Sequence, residues 1–144
     1  MYQNILFDLD GTLTNSELGI TNSVAYALEK FGIQVQDKKE LRVFIGPPLK
    51  YSFERFYGFS EKESLRAVEY YREYFSKKGL YENEVYKGIR ETLSSLKQAD
   101  KKLIVATSKP EKFSIQILKH FGLYDYFDFV AGATMDGSRS KKAD

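Results

Sequence analysis

The stretch Ile5-Leu6-Phe7-Asp8-Leu9-Asp10-Gly11 decides the fold. A short apolar run of strand type ends in two carboxylates spaced around Leu9, and Asp10-Gly11 is a turn signal. On an extended segment Asp8 and Asp10 both project near the strand terminus. Two carboxylates that close repel each other unless something neutralises them. A hard cation does so, and Mg2+ prefers oxygen ligands of this kind. Gly11 lets the backbone come close to a bound anion. One carboxylate can act as a covalent nucleophile and form an aspartyl-phosphate, while its neighbour protonates a leaving group and then activates water.

Helical patterning follows. Thr14 and Glu17 have the spacing of a capping box, and Ile20, Val24, Leu28 and Phe31 recur on one face until Gly32. A second helix is predicted from about Asp37 to the break at Gly46-Pro47-Pro48, and a third from there through Phe53, Phe56 and Tyr57 to Gly58. Ser60 and Glu63 cap a fourth, with Leu65, Val68, Tyr71 and Phe75 as its apolar face. The Tyr70, Tyr71 and Tyr74 cluster reads as packing between these helices. Gly46 to Leu49 reads equally as a plain helix break or as a specificity loop.

After residue 80 the pattern changes. Ile89, Leu93 and Leu96 mark an amphipathic helix. Leu103-Ile104-Val105-Ala106 is a continuous apolar run, as in a strand buried on both faces of a parallel sheet. Ser108 and Glu111 form another capping-box pattern before a helix through Phe113, Ile117 and Phe121, and Phe127 to Ala131 reads as a third strand. The order is that of an α/β fold: a parallel-sheet, Rossmann-like core (residues 1–14 and 82–144) carrying an inserted all-helical cap (residues 15–81). Such sheets bind ligands at the carboxyl ends of their strands, where Asp8, Thr107 and Ala131-Gly132 stand. Thr107 and Ser108, before a helix N-terminus, suit a phosphate. Lys141 and Lys142 can place positive charge on a phosphoryl group. Lys109 reads as an exposed lysine, and the single histidine, His120, has no catalytic role.

Composition narrows the alternatives. With 42 % hydrophobic and 29 % charged residues, and with 11 Tyr and 11 Phe, the chain can build a core. A net charge of +2 is too small to argue for nucleic acid. There is no cysteine, hence no disulfide framework. No run approaches the roughly 18 apolar residues of a membrane helix, and no charged leader precedes Ile5. A soluble, cytoplasmic protein is expected, with a small-molecule phosphate ester as partner, no nucleic acid and no membrane.

Phe7-Asp8-Leu9-Asp10-Gly11-Thr12-Leu13-Thr14 resembles the first motif of the haloacid dehalogenase-like hydrolases. The helical insertion after it resembles that superfamily's smaller cap. Ala106-Thr107-Ser108-Lys109-Pro110 is similar to the second motif of the phosphoglycolate phosphatase-like branch, Gly46-Pro47-Pro48-Leu49 to its substrate-facing cap segment, and Ser138 to Asp144 to the third motif. The run Gly132 to Ser138 looks more like the bacterial 5′-nucleotidases of that branch. The resemblance implies a Mg2+-dependent phosphomonoester hydrolase acting through an aspartyl-phosphate on a small cytosolic metabolite, such as phosphoglycolate or a nucleoside 5′-monophosphate. Asp8 is then nucleophile and metal ligand. Asp10 is the general acid/base, and its backbone carbonyl is the second metal ligand. Thr107 binds the phosphoryl oxygens, beside Gly11 and Ser108 as read above from the residues themselves, and Lys142 neutralises Asp8 and the phosphoryl group.

Two departures stand out. Asn15-Ser16 replaces a common Asp-Ser, with little expected effect on the chemistry. The family's fourth motif, an acidic cluster after another strand, has no counterpart before Asp144, so the chain is expected to be truncated at its C-terminus. The alternatives are a phosphomutase of the same superfamily and an inactive fragment. A signalling receiver is disfavoured, because receivers lack a helical insertion after the first strand.

Overall fold

A computed structural model describes residues 4–134 of the chain. The chain divides into two compact units. One holds the described residues up to Asn15 and from Glu84 onward, and the other is Ser16–Asn83.

The first unit is built on a three-stranded, all-parallel sheet in the order β1 (Asn4–Phe7), β4 (Lys102–Pro110), β5 (Phe129–Ala133). Ile5 pairs with Leu103 and Phe7 with Val105, while Ala106 pairs with Ala131. Helices α4 (Ile89–Gln98) and α5 (Glu111–His120) are the crossovers that a parallel order requires. Leu93, Leu103, Val105, Ile117 and Leu118 form the core, each essentially without solvent exposure. Phe7 meets Phe127 edge-on at 6.0 Å. Two short strands, β2 (Thr14–Asn15) and β3 (Glu84–Val85), pair antiparallel where the chain leaves this unit and returns to it.

β4 differs from its expected form. Leu103, Val105, Thr107 and Lys109 are buried, and the residues between them are not fully so. The strand therefore alternates as a half-buried strand does, and its apolar run is not covered on both faces among the described residues. Leu6, Ile104 and Phe129 are register neighbours and so form a row on the other face. Leu6 and Phe129 keep 69 % and 60 % of their surface accessible.

The second unit is helical: α1 (Glu17–Lys30), a 3-10 segment (Lys38–Phe44), α2 (Leu49–Tyr57), α3 (Glu61–Lys77) and a 3-10 turn (Gly79–Tyr81). Asp37 caps the first 3-10 segment by accepting from Lys39 N at 2.9 Å. Ser60 and Glu63 form the expected reciprocal capping box of α3. Gly58 closes α2 at φ +64°, a left-handed geometry that favours glycine. The core is aromatic: Phe44 packs on Phe53, Phe53 stacks on Phe59, and Phe31 meets both Phe59 and Tyr70. Tyr71 is buried and stacks on Phe75, and Tyr74 lies on Tyr26 while its hydroxyl donates to Glu82 at 2.9 Å. The tyrosine cluster is thus packing. The buried face of α3 is Ser64, Ala67, Tyr71 and Phe75, whereas Leu65, expected inside, is exposed.

Two expected capping boxes do not form. Thr14 belongs to β2, and Ser16 occupies the cap position of α1 without a side-chain capping bond to the helix. Ser108 lies within β4, and Pro110 is the residue before α5. Pairing of Thr14 with Val85 claims the first residue assigned to a cap, and pairing of Pro110 with Ala133 carries β4 past Ser108, the second.

Candidate active site

The loop after β1 is wound around one carbonyl. Leu9 O accepts from the amides of Thr12, Leu13 and Thr14 at 3.0–3.3 Å, and Gly11 N donates to Thr14 O at 2.8 Å. Leu9 and Leu13 are fully buried and pin the loop from below. Gly11 adopts φ +81°, and a Cβ there would meet only open space, so the turn needs glycine and leaves room above its backbone. With Leu9 turned inward, Asp8 and Asp10 flank it, and Asp8 is partly accessible. Asp8 Oδ1 accepts from Leu9 N at 2.8 Å, which fixes its rotation.

The end of β4 supplies the second wall. Four residue steps on β4, from Ala106 to Pro110, face two steps on β5, from Ala131 to Ala133. Residues 107–109 therefore sit in an irregular bulge, a feature enriched beside functional sites because it re-aims side chains. Thr107 is buried, and its Oγ1 accepts from Lys109 N at 3.1 Å. The hydroxyl keeps its proton to donate elsewhere. Gly132 packs against this segment: a Cβ on it would lie 2.8 Å from Lys109 O.

Lys109, read from sequence as exposed, is buried. Its Nζ lies 3.3 Å from Asp10 Oδ2, with only 7 % and 8 % of the two side chains exposed. The reason is parity. Lys109 falls on the same face of β4 as Leu103, Val105 and Thr107, and that face is turned inward. The alternation along Leu103 to Lys109 is the signal that could have found it.

The structure thus brings Asp10 and Lys109 into contact, and Thr107 into the same bulge as Lys109. Ser108 lies in the bulge as well and is partly exposed. Lys142 and most of the Gly132 to Ser138 run lie outside the described residues. His120 is exposed in the last turn of α5, with its ring against Phe121. Among the described residues no group of three His, Cys, Asp or Glu forms a metal cage. Asp8 and Asp10 nonetheless match what Mg2+ takes, one or two carboxylates supplemented by water and substrate phosphate.

Family comparison decides what this constellation belongs to. The model of the haloacid dehalogenase-like hydrolases matches residues 5–141. The chain belongs to the haloacid dehalogenase-like hydrolases. Among its relatives is a 5′-nucleotidase of Pseudomonas aeruginosa, 48 % identical over 98 % of this chain and 64 % of the relative. Another is the tyrosine-protein kinase PtkA of Mycobacterium tuberculosis, 39 % identical over 99 % of this chain and 48 % of the relative. A solved structure of a predicted phosphatase from Clostridium acetobutylicum superposes with a TM-score of 0.98 at 55 % identity, over 100 % of this chain and 67 % of that one. The chain thus spans about half to two thirds of the length of these relatives. No helix among the described residues is long and apolar enough to cross a membrane.

Proposed function

We propose that the protein is a Mg2+-dependent phosphomonoester hydrolase that works through an aspartyl-phosphate on Asp8. The observation that carries this reading is the gathering of Asp8, Asp10, Thr107 and Lys109 at the carboxyl ends of β1 and β4. One Asp8 oxygen is held by Leu9 N, and the other is the attacking atom. Its lone pair forms a bond to phosphorus as the ester P–O bond breaks, and the departing oxygen takes a proton from Asp10. Asp10 then removes a proton from water, the water oxygen bonds to phosphorus, and the Asp8–phosphorus bond breaks to release inorganic phosphate. Thr107 donates its hydroxyl to a phosphoryl oxygen. Ser108 and the backbone at Gly11 line the same anion site, and Lys142 is assigned to neutralise Asp8 and the phosphoryl group. The Asp8 carboxylate and the Asp10 carbonyl would hold Mg2+, which would supply charge stabilisation.

The substrate is a small cytosolic phosphate ester. The 48 % identity to a protein named 5′-nucleotidase favours nucleoside 5′-monophosphates over phosphoglycolate, since the relatives named phosphoglycolate phosphatase are 29 % and 30 % identical. Neither nucleic acid nor a membrane is a partner in this reading.

Hydrolysis of an aryl phosphate with and without Mg2+, beside Asp8→Asn, is the test. Metal-dependent turnover reduced roughly 10³-fold or more in the variant supports the reading. Turnover that survives the substitution removes Asp8 as nucleophile. A panel of nucleoside monophosphates and phosphoglycolate ranks the substrates. Release of free phosphate, rather than its return to a sugar phosphate, separates the hydrolase from a phosphomutase.

A further inference from the structure

We infer that Lys109 is a positioning residue that fixes the Asp10 carboxylate for proton transfer, an inference that rests on the hydrolase reading above. Three observations carry it. Lys109 Nζ reaches Asp10 Oδ2 at 3.3 Å, and both side chains are more than nine-tenths buried. Lys109 N donates to Thr107 Oγ1, so the residue that aims the acid/base is tied to the hydroxyl assigned to the phosphoryl group. The backbone at Lys109 packs so closely on Gly132 that a Cβ there would lie 2.8 Å from Lys109 O, so the segment carrying Lys109 is closely packed against β5.

The consequence is geometric. Asp10 stands on a loop whose backbone is held through the Leu9 carbonyl, and the rotation of its side chain is a separate matter of side-chain contacts. A contact to Oδ2 sets that rotation and therefore where Oδ1 faces. A buried lysine holds the contact better than an exposed one, since a competing water is absent and the charge is less screened. The same ammonium keeps Asp10 from being an isolated buried charge. Lys109 is thereby distinct from Lys142, whose assigned target is Asp8 and the phosphoryl group.

The test uses the 144-residue chain with Lys109→Gln, Lys109→Arg, Asp10→Asn and the Lys109→Gln/Asp10→Asn double variant. In thermal melting, each single variant lowers the midpoint, and the double variant lowers it by clearly less than the sum. Additive losses overturn the pair. In aryl phosphate hydrolysis with Mg2+, Lys109→Gln lowers kcat about ten- to hundredfold while KM stays within about twofold, as expected when a proton-transfer group is misaligned. Lys109→Arg recovers part of that loss because the charge is kept. A raised KM with unchanged kcat overturns the inference, because it makes Lys109 a substrate-binding residue. If Lys109→Gln does not fold, Lys109→Arg carries the kinetic arm: lowered kcat at constant KM supports positioning, and wild-type values overturn it. A wild-type chain without metal-dependent turnover tells against hydrolysis by these 144 residues and not against the pair, and the melting cycle then decides the pair by itself.

Discussion

Gly132 lies so close to Glu111 that a Cβ on it would stand 2.6 Å from Glu111 Cα and 2.8 Å from Glu111 N. These are backbone atoms at the first turn of α5, and they cannot swing aside as the end of a side chain can. Gly132→Ala therefore pushes α5 away from β5 or strains both. Denaturant unfolding should show a loss of about 1–3 kcal/mol, the usual range for overpacking. Turnover should fall as well, because the displaced segment includes Lys109, whose carbonyl lies on the same side.

Gly19 tests the sign of a helix rule. An interior glycine replaced by alanine ordinarily gains about 1 kcal/mol of helix stability. Here the added methyl would run into the carbonyl oxygen of Gly79 and stand 3.0 Å from Glu82 O. Gly19 N donates to that same Glu82 oxygen at 2.9 Å, so the contact cannot open without losing a hydrogen bond. Gly19→Ala should lower the melting temperature, and a raised one would show that α1 and the Gly79 turn are less tightly joined.

Ser52 points the other way. It is fully buried in α2, and its hydroxyl has no hydrogen-bond partner among the described residues. Alanine removes the desolvated hydroxyl and is the better helix former. Ser52→Ala should stabilise the chain by about 0.5–1 kcal/mol in urea unfolding, with no change in m-value.

Asp128 links β5 to β4 and carries a pH dependence. Its Oδ2 accepts from Leu103 N at 2.9 Å and from Lys97 at 3.2 Å, while Asp128 N donates to Leu103 O at 2.8 Å. The Leu103 amide first, and Lys97 after it, holds the carboxyl below its ordinary value of 3.8. A carboxyl whose folded value is depressed contributes stability above its unfolded value and loses it as pH falls through the lower folded one. Asp128→Asn should therefore melt below wild type at pH 7, and the gap should close progressively below pH 3.8. A gap that persists into acid would mean that shape, rather than charge, matters at this position.

Much of the fold was legible because local and tertiary preferences agree. The apolar run before Asp8, the Ser60–Glu63 box and the stop at Gly58 all appear where sequence places them. Legibility failed where pairing with a distant segment overrode a local signal. Thr14 has a cap's spacing to Glu17, but Val85, far along the chain, draws it into a strand. Ser108 has the same relation to Glu111, and the approach of β5 extends β4 past it. Lys109 was missed because lysines are usually exposed, and its burial depends on which face of β4 turns inward. The acidic end of β1 needed no such knowledge, since two carboxylates around one buried leucine already imply a site.

The pairing of β2 with β3 has a consequence for how such a protein can diversify. Asn15 and Glu84 are ladder neighbours, so the polypeptide departs from the core and returns to it at nearly one point. Within the helical unit, Gly19 is likewise bonded to Glu82, which draws its own two ends together. A segment with both ends pinned side by side adds little loop-closure penalty when lengthened, shortened or exchanged. The intervening helices can therefore be traded for another module in a single recombination event while Asp8, Asp10, Thr107 and Lys109 stay where the sheet holds them.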